Sequence, residues 1–194
     1  MKKISNRAVA REQRKLMADL GAAVTAAVDV PAEPTAIFEA LCDAMSVRRE
    51  RPVLLSIRAF PPELASHTTG LWLDLPEQDV IVVEESLAPP HKLVVLGHEF
   101  WHMYAGHCGH DVDGGSAAAR AALATEVDWP ELARRVASRS HSHQEEEVSA
   151  EGFGLLLGTK MRGWLADPNV AAPPPIDDVA HRLGVTLGYR GLQG

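Results

Sequence analysis

Leu93-Val94-Val95-Leu96-Gly97-His98-Glu99-Phe100-Trp101-His102 is the stretch from which the rest of the chain can be read. It is an apolar run preceded by Pro89-Pro90, and it predicts a helix over residues 91–107. Within that helix His98 and His102 stand four residues apart, which is about 40° around the axis and one turn along it. Both imidazoles can therefore reach one metal ion. Glu99 falls between them in projection, placed to hold a water on the metal rather than the metal itself. Zinc bound in this way brings a water's pKa toward neutrality, and a carboxylate beside it takes the proton as the water attacks a carbonyl. The pattern His98-Glu99-x-x-His102 thus makes zinc the expected cofactor and Glu99 the expected general base.

A catalytic zinc needs a third protein ligand and an open fourth position. A third His six residues after the second is excluded, because that residue is Cys108. The better source is the acidic segment Glu145-Glu146-Glu147-Val148-Ser149-Ala150-Glu151, which begins a second helix after Ser142 and runs to about Lys160. Ala150, Phe153 and Leu157 form its apolar stripe. Glu147 and Glu146 lie three and four residues before Ala150, so each flanks that stripe and spacing alone selects neither. Glu145 has a capping role available with Ser142. His110, Asp111, His141 and His143 are the remaining ligand candidates. Tyr104, His107, His141 and His143 are candidate donors to the oxyanion of an attacked carbonyl.

Outward from these two helices, residues 53–57, 70–75 and 80–83 are short and rich in β-branched or aromatic residues, and Pro, Gly or Asp bounds them. They predict three strands, the last two joined by a polar turn at 76–79. Upstream, Leu16, Leu20, Val24 and Val28 recur every four residues and predict an amphipathic helix over 5–28. A second helix follows at 35–45. The charged connection 48–52 divides an N-terminal helical segment, 1–50, from a main domain, 51–165. Residues 166–194 form a Pro- and Ala-rich tail with a short helix near 176–183. The expected fold is α+β: a three-stranded, mostly antiparallel sheet packed on the helix of His98 and the Glu-bearing helix, with helices added at the N-terminus.

Bulk properties narrow the function further. The 194 residues are 46% hydrophobic and 23% charged, an ordinary globular balance, and the net charge of −7 gives no general attraction to nucleic acid or anionic membrane. Lys2, Lys3, Arg7, Arg11, Arg14 and Lys15 make a basic N-terminal face, expected to be solvated or to meet an acidic partner. Two cysteines are too few for a disulfide framework, and no clean signal peptide or membrane-length apolar run occurs. A cytoplasmic protein is expected.

His98-Glu99-Phe100-Trp101-His102 followed by Gly106-His107, with Arg51-Pro52-Val53, Gly70-Leu71-Trp72 and Asp79-Val80-Ile81-Val82 before it, resembles the ImmA/IrrE family of metallopeptidases, its actinobacterial members above all. The resemblance covers residues 51–157. It implies a zincin-like fold and a zinc-dependent endopeptidase of gluzincin type. By aligning Ala150 and Phe153 with the family's E-x-[EQ]-A-x-x-F-A pattern, it also implies Glu147 as third ligand. Ser149 and Gly154 depart from that pattern. The resemblance further implies a regulatory role, by limited proteolysis of a helix-turn-helix transcription factor, with no direct contact to nucleic acid or membrane. A non-catalytic zinc-containing binding module, or the toxin of a toxin–antitoxin pair, is the alternative.

Overall fold

Asp79–Glu84 (β3) is buried at every position, as a strand flanked on both edges and covered on both faces must be. It pairs in parallel with Val53–Arg58 (β1) and antiparallel with Gly70–Asp74 (β2). The two-residue strand His110–Asp111 (β4) adds in parallel outside β2, giving the order β1-β3-β2-β4. The computed structural model describes residues 6–65, 68–75, 77–106, 110–111 and 144–166. Its helices are Asn6–Ala27 (α1), Pro34–Arg49 (α2), the single turn Pro62–Ala65 (α3), Pro89–Ala105 (α4) and Gln144–Met161 (α5). No helix among the described residues is long and apolar enough to cross a membrane.

The fold is α+β with a small mixed sheet, so the expected mostly antiparallel sheet is corrected. The polar turn after Leu75 does make β2 and β3 an antiparallel pair, closed by Leu75 N–H donating to Gln78 O at 3.0 Å. What spacing did not show is that β3 enters between β2 and β1. The chain from β1 through α3 and β2 then acts as the crossover that a parallel pair requires. The predicted strands and the four long helices are otherwise found within a few residues of their expected bounds. The predicted tail helix lies outside the described residues.

The N-terminal helices share one core with the rest. Leu16, Leu20 and Val24 of α1 and Phe38, Leu41 and Met45 of α2 belong to the same buried cluster as Phe100 of α4 and Phe153 of α5. Arg7, Arg11, Arg14 and Lys15 are exposed on α1. The charged connection after α2 is pinned rather than free. Arg49 and Arg51 both converge on Asp79, which is wholly buried. Trp72, itself buried, also donates its indole N–H to Asp79 at 2.7 Å.

Two features aim α4. Buried Lys92 donates its ammonium to the carbonyls of Glu85 and Leu87, tying the first turn of the helix to the end of β3. At the far end Gly106 takes a left-handed conformation, φ 66°, and its N–H returns to His102 O. That cap ends the helix at Ala105, two residues before the expected position, because glycine adopts this conformation without strain.

α4 and α5 cross at backbone contact through glycines. A Cβ on Gly154 would lie 2.5 Å from Val94 O and 3.2 Å from His98 N, and one on Gly97 would lie 2.9 Å from Gly154 Cα. Backbone cannot retreat as a flexible side chain can. Gly154→Ala gains about 1 kcal/mol of helix propensity but incurs overpacking of about 1–3 kcal/mol or more, and the contact distance places it at the upper end. A net loss of about 2 kcal/mol in urea unfolding is expected. Gly152→Ala is the control of opposite sign, since its Cβ would meet only Gln13 Nε2 at 3.8 Å. It should be neutral or stabilising by up to about 1 kcal/mol. Equal effects at the two glycines would contradict the tight crossing.

Candidate metal centre

The α4–α5 crossing brings three donors to one point. His98 Nε2 and His102 Nε2 are 3.0 Å apart, His98 Nε2 lies 3.5 Å from Glu147 Oε2, and His102 Nε2 lies 3.6 Å from Glu147 Oε1. The two carboxylate contacts are long for hydrogen bonds. They suit ligands around a common centre: atoms about 2.0–2.1 Å from a tetrahedral ion are about 3.3–3.4 Å from one another. His98, His102 and Glu147 are the one group of this kind among the described residues. The donor set therefore fits a metal ion.

Helical phase explains why Glu147 is the member from α5. Ala150, Phe153, Leu157 and Met161 are the buried stripe. Gly154 and Gly158, which touch Val94 of α4, lie on one side of that stripe. Glu147 lies on the same side, since 147, 151, 154 and 158 follow one another at spacings of four, three and four. Glu146 lies on the other side, towards α1, where Gln13 donates to Ser149 O at 2.9 Å. Glu151 lines the cleft beside Glu147 without joining the group of three.

Burial holds His98 below the ordinary imidazole pKa, against the opposing charges of Glu147 and Glu151. A neutral ring with a free lone pair is the form that binds a metal. Glu99, one residue on, is turned inward and is 9% exposed. Burial first, and the charge of Glu147 second, push its carboxyl up to about 8, although a hydrogen bond from the Trp72 backbone pulls the other way. Gly70 lets strand β2 come this close, because a Cβ there would fall 2.2 Å from Val95 Cγ1 and 3.4 Å from Glu99 Oε1. These groups border a cleft of about 510 Å³, walled by Thr68, Thr69 and Gly70 on one side and by Glu147 and Glu151 on the other.

Among the proposed oxyanion donors, Tyr104 is engaged elsewhere: its hydroxyl donates to Glu12 of α1 at 2.6 Å. His107, His141 and His143 lie outside the described residues, as do Ser142 and Cys108, and of His110 and Asp111 only the backbone is described. Trp101 packs against Tyr104 and Phe153, with ring centroids 5.5 and 5.6 Å away, as expected of a core residue. Sequence reasoning missed the glycine face of α5; the 147-151-154-158 line was the signal that could have revealed it.

An α+β protein with a two-histidine, one-glutamate group on packed helices is a candidate metal-binding protein. No protein-family model, curated protein or solved structure matches the chain.

Proposed function

We propose that the chain is a zinc-dependent metalloendopeptidase of the ImmA/IrrE kind, zincin-like in fold, acting on a helix-turn-helix regulator. The observation that carries this reading is the convergence of His98, His102 and Glu147 beside a buried Glu99 at the floor of an open cleft. Bound there by two imidazoles and a carboxylate, zinc supplies Lewis acidity toward a carbonyl and a water. Glu99 accepts the attacking water's proton and returns it to the leaving amine. Burial raises the Glu99 carboxyl, and a cation held by the neighbouring donors would favour the ionised form that this role needs. Among the described residues β4 pairs with β2 at Leu73 and Asp74, and Gly70 of β2 lines the cleft, where an extended substrate backbone can lie.

Glu99→Gln keeps the shape of the side chain and removes the proton acceptor. It is expected to retain stoichiometric zinc and to lose about 10²–10⁴-fold in hydrolysis. The assay is co-expression with a helix-turn-helix regulator encoded beside the gene, followed by mass spectrometry of the regulator. Fragments seen with the native chain and absent with Glu99→Gln support the peptidase. If the regulator's activity changes equally with both, the protein works by binding.

A further inference from the structure

β1 is the outer strand of the sheet, and the phase of its pairing fixes which backbone groups it leaves open. Asp79 N–H donates to Pro52 O and Glu85 N–H donates to Arg58 O, both at 2.8 Å. In a parallel ladder the residues that face the partner alternate. Positions 52, 54, 56 and 58 therefore direct their N–H and C=O groups to β3, and 53, 55 and 57 direct theirs outward. Val53 N–H is taken by Ser46 Oγ at 2.8 Å. Leu55 and Ile57 then present an unpaired N–H and C=O along the edge, with no partner among the described residues.

Beside this edge runs a groove of about 320 Å³ between β1 and α2. Phe38, Leu55 and Ile57 give it an apolar floor, and Glu39 and Asp43 stand exposed on its α2 wall. Neither carboxylate has a cation within ion-pairing distance among the described residues. Burial, with the neighbouring charges of Asp43 and Glu39 added, pushes the Cys42 thiol up to about 12, so that thiol is an inert part of the wall. One helical turn separates Glu39 from Asp43 by about 6 Å along the axis. Side chains two residues apart on a strand are separated by about 6.5–7 Å. The two spacings match.

We propose that the outer edge of β1 and the adjoining wall of α2 form a docking groove for an extended segment of a partner protein, one that carries basic side chains two residues apart and adds as a strand beside Leu55 and Ile57. Backbone pairing at an open sheet edge supplies affinity, and side-chain pockets supply selection. The acidic wall selects Lys or Arg over Glu or Asp. β3 separates β1 from β2, so this groove is distinct from the metal cleft, and a partner can be held here whatever the chemistry of that cleft.

The test uses two fluorescent, end-capped eight-residue peptides, one alternating Val with Lys and one alternating Val with Glu, and reads anisotropy on the full chain. The Val–Lys peptide is expected to bind at least tenfold more tightly. Leu55→Pro deletes an outward N–H, which edge strands tolerate, and trims the apolar floor, and should weaken that peptide about tenfold. The double variant Glu39→Arg/Asp43→Arg, altered only at exposed positions, should invert the preference. It decides the matter if the proline variant fails to fold. Equal binding of both peptides, or a preference unmoved by the charge reversal, overturns the proposal. So does a dimer in sedimentation that Leu55→Pro dissociates, since the occupant would then be a second copy.

Discussion

Asp79→Ala is expected to cost about 3 kcal/mol of folding stability, the lower end of what removing one member of a buried ion pair costs. The carboxylate is fully buried and accepts from Arg49 Nε at 2.9 Å, Arg51 Nε at 2.8 Å and Trp72 Nε1 at 2.7 Å. Deleting it leaves an indole N–H without its acceptor and two guanidinium groups without their shared anion. Relief comes from the Arg side chains, which are 24% and 23% exposed, and from Asp74, which still holds Arg51. That is why the lower end is expected. Burial raises the Asp79 pKa, but the hydrogen bonds from Arg49, Arg51 and Trp72 outweigh it, and the net shift is downward. A carboxyl lowered in the folded state contributes stability that is complete above its unfolded pKa of about 3.9 and is lost as pH falls through the folded value. The native chain should therefore lose stability on acidification below about pH 4 more steeply than Asp79→Ala. Urea midpoints across that range measure both effects. A loss under about 1 kcal/mol at neutral pH would mean that the cluster is not holding the α2–β1 connection against the sheet.

The same cluster marks the limit of what could be read from the sequence. Arg49, Arg51, Trp72, Asp74 and Asp79 are spread over 30 positions and carry no mutual spacing rule, so the connection at 48–52 reads as a hinge until the sheet order is known. Helices and strands were legible because their period is local: the four-residue recurrence in α1 and the short apolar runs of β1 and β3 need no partner to be seen. Sheet order was not, because which strand enters between two others depends on packing, not on any one segment's pattern. At the candidate site, His98, Glu99 and His102 come from one helix and were fixed by spacing. The third member of the donor group comes from a second helix, and which residue it is depends on which side of the Ala150 stripe meets α4. Gly154, where the ImmA/IrrE pattern has Ala, is the residue that lets α4 approach on the Glu147 side.

That reading makes the metal titration sharp. Structural zinc binding of about 10–16 kcal/mol shared among four ligands assigns roughly 3–4 kcal/mol to each, or about 10²–10³-fold in affinity. His98→Ala and His102→Ala each leave two protein ligands and should abolish stoichiometric zinc at micromolar protein. Glu147→Ala should weaken zinc by about 10²–10³-fold. Its carboxylate is more than half exposed, so its loss opens no cavity, and the fold should survive. Glu146→Ala, on the α1 side of α5, should change affinity by no more than a few-fold. Glu151→Ala lies between these cases: it lines the cleft and its charge acts on His98 without reaching the donor group, so a loss of up to about tenfold is expected. Competition with a chromophoric chelator ranks the five variants on one scale, and circular dichroism in the same samples separates lost ligation from lost structure. If Glu146→Ala were the damaging change, α5 would have to be rotated by about 100° from its observed phase. Gly154 and Gly158 could not then meet Val94, so the opposite signs expected for Gly154→Ala and Gly152→Ala would fail in the same protein.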